Sequence, residues 1–127
     1  MEKEISAKSI LVVEDSSTTR ALIRAVIDEM ADFSTIDAGS GFEALKLLPT
    51  QEFNLVITDI NMPDINGLEL ISFLKNNPRY SHIPLIIVTT ERSDEDRKRG
   101  LALGAAAYIT KPFKADELQE VIKKAIL

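Results

Sequence analysis

Residues 55–70 read LVITDINMPDINGLEL, and the order of chemistry within them decides the fold. The opening four residues, 55–58, are apolar or β-branched without polar alternation, the mark of a strand buried on both faces. The next residue is Asp59, a carboxylate at the edge of surroundings that penalise charge. A turn follows over Asn61, Met62, Pro63 and Asp64, Asn66-Gly67 reads as further turn chemistry, and helical spacing begins at Gly67. Strand, turn and helix within so few residues are half of a βαβ unit.

The same alternation continues in both directions. Apolar, β-branched runs recur at 9–13, 33–38, 54–58, 84–89 and 107–110, each bounded by polar or turn residues. Helical spacing separates and follows them: Leu22, Val26 and Met30 on one face of the first, then helices over 41–48, 67–76 and 94–103. The 94–103 helix opens on Ser93 with Asp96 three residues later, close to a capping box. The last helix carries Leu118, Val121, Ile122, Ala125 and Ile126 at i, i+3, i+4, i+7 and i+8. Strands alternating with helices require a parallel sheet covered on both faces, the α/β doubly wound arrangement. The length of 127 residues suits one such domain, expected over 1–127.

In sheets of this kind ligands bind beyond the carboxyl ends of the strands. The first strand ends in Glu14-Asp15, the third in Asp59, the fourth in Thr89-Thr90 and the fifth in Lys111-Pro112. With those strands as neighbours, three carboxylates converge, and one pair at about 4 Å repels by roughly 4 kcal/mol at an effective dielectric of 20. Lys111 supplies one compensating charge, and a hard cation with oxygen ligands, Mg2+, the rest. A metal, a lysine and a hydroxyl around one carboxylate suit phosphoryl transfer with Asp59 as nucleophile, forming an acyl phosphate. Singly, each residue has a plainer reading. Asp15, Ser16 or Ser17 suits a helix cap, Asp59 a turn, Thr89 and Thr90 solvated strand ends, Lys111 a surface lysine, Tyr108 a half-buried strand aromatic, and His82 the surface. The charges over 92–99 read as a solvated helix face. Their joint placement on one sheet edge favours the phosphoryl reading.

With those residues in hand, the sequence resembles a bacterial response-regulator receiver domain, most of all the single-domain kind that serves chemotaxis. The matching pieces are ILVVEDSSTTR, LVITDINMPDINGLEL, LIIVTTE and GAAAYITKPF, in order across residues 9–113. The resemblance implies a flavodoxin-like (βα)5 fold with strand order 2-1-3-4-5. It implies that Asp59 takes a phosphoryl group from a histidine kinase or a histidine phosphotransfer protein. It further implies that Glu14, Asp15, Asp59 and the Asn61 backbone carbonyl hold Mg2+, with Glu14 reaching it through water, and that Lys111 binds the phosphoryl group. Thr89 would move toward that group and Tyr108 turn inward after it. A downstream protein would be engaged through 92–103, Tyr108 and 114–123, and the phosphodonor through the first helix, with Arg20 and Arg24 exposed. Asn61 and Glu91 stand at positions that tune the phosphate's lifetime.

Three rivals are weighed. Gly39, Gly41 and Ala44 match GxGxxA of dinucleotide enzymes, yet that motif follows the second strand and leaves Glu14, Asp15 and Lys111 unexplained. A phosphohydrolase with an aspartate nucleophile needs an acid two residues on, where Asn61 stands. A receiver that binds partners without phosphorylation is the third. Composition narrows the field: the apolar run 10–13 is too short for a signal-peptide core or a membrane span. With no cysteine, a cytoplasmic location is expected. The net charge of −5, with 15 basic against 20 acidic residues, disfavours direct nucleic-acid binding.

Overall fold

The computed structural model describes residues 8–91 and 93–126; residues 1–7, 92 and 127, which the single-domain expectation includes, lie outside the described residues. The elements run β1 (Lys8–Val13), α1 (Ser17–Asp28), β2 (Phe33–Ala38), α2 (Gly41–Leu47), a 3-10 turn (Leu48–Thr50), β3 (Leu55–Thr58), α3 (Gly67–Lys75), β4 (Leu85–Thr89), α4 (Asp94–Leu103), β5 (Ala107–Thr110) and α5 (Ala115–Ile126). All strand pairs are parallel and the order is β2-β1-β3-β4-β5, as the resemblance implied. The chain reverses direction of travel at β1, which leaves β1 and β3 side by side with Val13 opposite Thr58. The residues that follow these two strands, Glu14 and Asp59, are thereby neighbours at the sheet edge where ligands bind.

Each strand contributes to two cores, because alternate side chains face opposite sides of the sheet. Ile10 and Val12 join Ile23, Val26 and Ile27 of α1 and Leu118 and Ile122 of α5. Leu11 and Val13 join Ala44 of α2 and Leu68, Ile71 and Leu74 of α3. The buried stripe of α1 is Ile23, Val26 and Ile27, at i, i+3 and i+4, and Met30 is buried just past the helix end. The expectation of Leu22 on that face is thus corrected: steps of four drift off a 3.6-residue helix, and Leu22 points outward at 54% exposure. Pro49 ends α2 one residue early and turns the chain into the 3-10 segment. Helix α4 is anchored lightly, with Gly100 its only buried residue among those described. A Cβ on Gly100 would stand 2.7 Å from Ile87 Cδ1, so the glycine lets α4 lie close against the sheet.

Candidate functional site

The turns after β1 and β3 build the acidic patch. Ser16, rather than Asp15 or Ser17, caps α1 by accepting a hydrogen bond from the Thr19 amide at 3.2 Å. That leaves Glu14 and Asp15 free of capping. Glu14 is turned inward at 2% exposure, whereas Asp15 is exposed. Beyond β3, Asp59 is 7% exposed and its Oδ1 accepts from the amides of Ile60 at 2.6 Å and Asn61 at 3.4 Å. Asn66 and Gly67 are not plain turn residues, as the sequence suggested. They form the N-cap and first residue of α3, with a reciprocal capping box between Asn66 and Glu69. Gly67 is required there because a Cβ would stand 2.1 Å from the Asp59 carbonyl oxygen.

Lys111, at the end of β5 and followed by a cis peptide to Pro112, crosses to the same patch. Its Nζ donates to Glu14 Oε1 and to Asp59 Oδ2, each at 2.9 Å, with only 14% of its side chain exposed. The surface-lysine reading is overturned. Burial would lower the lysine, but the hydrogen bonds and attraction to the two carboxylates outweigh it and hold the ammonium above its ordinary value. Glu14 moves the other way from a typical paired acid: burial lifts its carboxyl above the usual range, and hydrogen bonds from Lys111 and the Ser16 amide only partly oppose this. Repulsion from Asp59 adds to the rise, less than burial does, and the three clustered carboxylates outnumber this ammonium.

A divalent cation fits the remainder. Carboxylate oxygens of Glu14, Asp15 and Asp59 lie within 4.8 Å of one another, all of them hard ligands of the type Mg2+ takes. Glu14 spends Oε1 on Lys111 and Oε2 on the Ser16 amide at 3.0 Å, so its oxygens already have protein partners. Asp15 offers the exposed oxygen of the set.

The remaining predicted residues lie around this patch. Thr89 is fully buried, not a solvated strand end, and its Oγ1 accepts from the Glu91 amide at 3.3 Å. Thr90 is the exposed one of the pair. Tyr108 is already inward, 6% exposed, with its hydroxyl donating to the Glu91 carbonyl at 2.9 Å and the Arg97 guanidinium 5.7 Å over its ring. Burial first, then Asp96 and Glu91, keep the phenol above its ordinary value. Asn61 Nδ2 donates to Glu91 Oε1 at 3.3 Å, so one residue links the Asp59 loop to the Tyr108 hydroxyl. Arg92, first residue of the expected output face, lies outside the described residues. His82 is exposed and lines a cavity of about 230 Å³ with Leu48, Phe53, Arg79 and Tyr80, beside the segments that lead into β3 and β4 and remote from the carboxylates.

Arg20 departs from expectation. Its guanidinium is not exposed for docking; it donates to the Glu14 carbonyl at 2.6 Å and lies 3.6 Å from Asp37 Oδ2, with 23% of the side chain exposed. Arg24, 48% exposed, shares the same Asp37 oxygen at 3.0 Å. The sequence held no local signal for this brace, since Asp37 is 13 residues beyond Arg24. The GxGxxA reading also fails on geometry: the Gly41 and Phe42 amides are already taken by the Asp64 carboxylate at 3.1 and 2.9 Å, where a phosphate would have to sit.

The family model described as the response regulator receiver domain matches residues 10–123. The chain belongs to this family. This receiver domain is 33% identical to the chemotaxis protein CheY of Pseudomonas aeruginosa, over 91% of this chain and 93% of that protein. It is 38% identical over 96% of its own length to the probable transcriptional regulator ycf29 of Pyropia yezoensis, of which it spans 54%. Among solved structures, a CheY-like receiver from Methanospirillum hungatei superposes with a TM-score of 0.87 at 30% identity, over 95% of this chain and 94% of that one. The protein is thus a CheY-like receiver domain of the two-component type, a signalling domain rather than a classical enzyme. No helix among the described residues of the receiver is long and apolar enough to cross a membrane.

Proposed function

We propose that this receiver, one domain over 1–127, is a cytoplasmic phosphoacceptor switch whose acceptor is Asp59. The observation that carries the reading is the Lys111 ammonium bridging Glu14 and Asp59 at 2.9 Å each. A lysine held charged beside a nearly buried carboxylate is poised to donate hydrogen bonds to phosphoryl oxygens. The donor is a histidine kinase or a histidine phosphotransfer protein. Asp59 Oδ2 attacks phosphorus, the bond from phosphorus to the donor imidazole nitrogen breaks, and the electron pair returns to that imidazole. Lys111 then pairs with a phosphoryl oxygen, and the buried Thr89 hydroxyl turns from the Glu91 amide to bond another.

Glu14, Asp15, Asp59 and the Asn61 carbonyl would hold Mg2+, with Glu14 acting through water. When bound, Mg2+ neutralises the crowded carboxylates and the phosphoryl oxygens. Release of the Thr89 hydroxyl frees the segment around Glu91, which carries the Asn61 and Tyr108 contacts. Phosphorylation in this way biases a pre-existing two-state equilibrium toward one arrangement of Tyr108 and α4. A downstream protein then reads the face of α4, β5 and α5, without direct binding of nucleic acid or membrane. Chemotaxis, the role in the names of several relatives, is the setting we favour. Asn61 and Glu91 set the phosphate's lifetime.

The test is intact mass after incubation with Mg2+ and acetyl phosphate. The wild type is expected to gain one phosphoryl group, and to gain none without Mg2+ or as Asp59→Asn. A wild type that gains nothing from acetyl phosphate or from any histidine phosphodonor would leave the receiver as a binding module only.

A further inference from the structure

We propose that Asp64 is a positioning residue for the acidic site, fastening the 60–66 loop to the start of α2 and so fixing where Asn61 stands beside Asp59. The inference rests on the reading of that site given above. Asp64 Oδ1 accepts from the Gly41 amide at 3.1 Å and the Ile65 amide at 2.7 Å, and Oδ2 accepts from the Phe42 amide at 2.9 Å. The loop lies directly on α2: a Cβ added to Gly41 would be 2.6 Å from Ile65 Cβ and 2.8 Å from the Ile65 carbonyl oxygen. At its other end the loop is tied by the Gly67 amide to the Ile60 carbonyl at 2.9 Å. Between Asn61 and Asp64 stand only Met62 and Pro63, and the proline ring removes one rotation. A displacement of Asp64 is therefore passed to Asn61 with little slack, and the Asn61 amide is already the weaker of the two bonds to Asp59 Oδ1, 3.4 Å against 2.6 Å.

Helix α2 supplies an internal control. It has a second cap, Ser40 Oγ accepting from the Glu43 amide at 3.1 Å, on the same turn but without a bond to the loop. A merely structural role for Asp64 predicts that losing either cap acts alike. A positioning role separates them.

The experiment measures Mg2+ affinity by calorimetry and amide exchange of Ile60 and Asn61 in metal-free protein, for wild type, Asp64→Ala, Asp64→Asn and Ser40→Ala. Asp64→Ala is expected to weaken Mg2+ about tenfold, as loss of a group that orients ligands does, and to speed exchange at Asn61. Asp64→Asn keeps one acceptor oxygen and falls between, which preserves the test if the alanine variant does not fold. Ser40→Ala lowers the melting temperature but leaves affinity and exchange at wild-type values. Unchanged affinity in both Asp64 variants, or an equal loss in Ser40→Ala, would overturn the positioning role while the wild type still bound Mg2+. A wild type that bound no Mg2+ would overturn both this inference and the metal reading beneath it.

Discussion

Replacing Lys111 with methionine tests the electrostatics of the site. The substitution keeps the apolar stem and removes the charge that lies 2.9 Å from both Glu14 and Asp59. The carboxylates left behind are 2% and 8% exposed, with oxygens no more than 4.8 Å apart; at 4.8 Å and an effective dielectric of 20 their repulsion is about 3.5 kcal/mol. Mutations that strip one partner from a buried ion pair cost about 3–5 kcal/mol, which agrees. Metal-free Lys111→Met should therefore lose about 3 kcal/mol at pH 7, or roughly 10 °C in Tm, read by urea and thermal denaturation. The sign with pH follows from Glu14. Burial already raises its folded carboxyl above the unfolded 4.5, and loss of Lys111 raises it further. A folded state that binds more protons than the unfolded one gains stability as pH falls through the folded value. The gap between variant and wild type should accordingly narrow as pH falls from 7 into the range where the raised Glu14 carboxyl takes up its proton, and narrow at pH 7 on adding Mg2+. A variant as stable as wild type at pH 7, or a gap indifferent to both pH and Mg2+, would refute the claim that these carboxylates are under-compensated.

Other perturbations probe the residues around the same site. Gly67→Ala puts a Cβ 2.1 Å from the Asp59 carbonyl oxygen, so α3 must retreat from the acceptor; a loss of about 3 kcal/mol in urea and a failure to phosphorylate are expected. Asp15→Asn removes an exposed carboxylate from the cluster; metal-free Tm should rise by a few degrees and the Mg2+-induced rise should shrink, both read in one calorimetric series. The hydrogen bond from the Phe42 amide, ahead of those from Ile65 and Gly41, holds the Asp64 carboxyl below its ordinary 3.8. A depressed carboxyl stabilises the fold above its unfolded value and ceases to as pH falls through the folded one. The Tm difference between wild type and Asp64→Asn should thus be largest near neutral pH and close in strong acid.

Much of this was legible in the sequence because the relevant signals are local. Five continuous apolar runs and the intervening helical spacing dictate a parallel sheet, and a parallel sheet dictates which residues share an edge. Glu14, Asp59 and Lys111 could be brought together on that rule alone, although Lys111 is 97 and 52 residues from its partners. What escaped was the part played by neighbours across the sheet edge. Asn66-Gly67 looks like a turn because turn and N-cap favour the same residues; only the 2.1 Å approach to Asp59 reveals the glycine's purpose. Asp64 looks like a turn residue until its partners, 22 and 23 residues back, are known. Arg20 looks like an exposed helix residue until the Glu14 carbonyl is found within 2.6 Å. Leu22 was misplaced for a simpler reason, a stripe counted in fours where the helix advances by 3.6.

Asp59 as the carrier of the phosphoryl group is open to direct chemical proof. The measurement that meets it most directly is to treat the protein with Mg2+ and acetyl phosphate, reduce the acyl phosphate with borohydride, digest, and sequence the altered peptide by mass spectrometry. The modification is expected on residue 59 and on no other carboxylate; a label on Glu14 or Asp15 instead would rule Asp59 out as the acceptor.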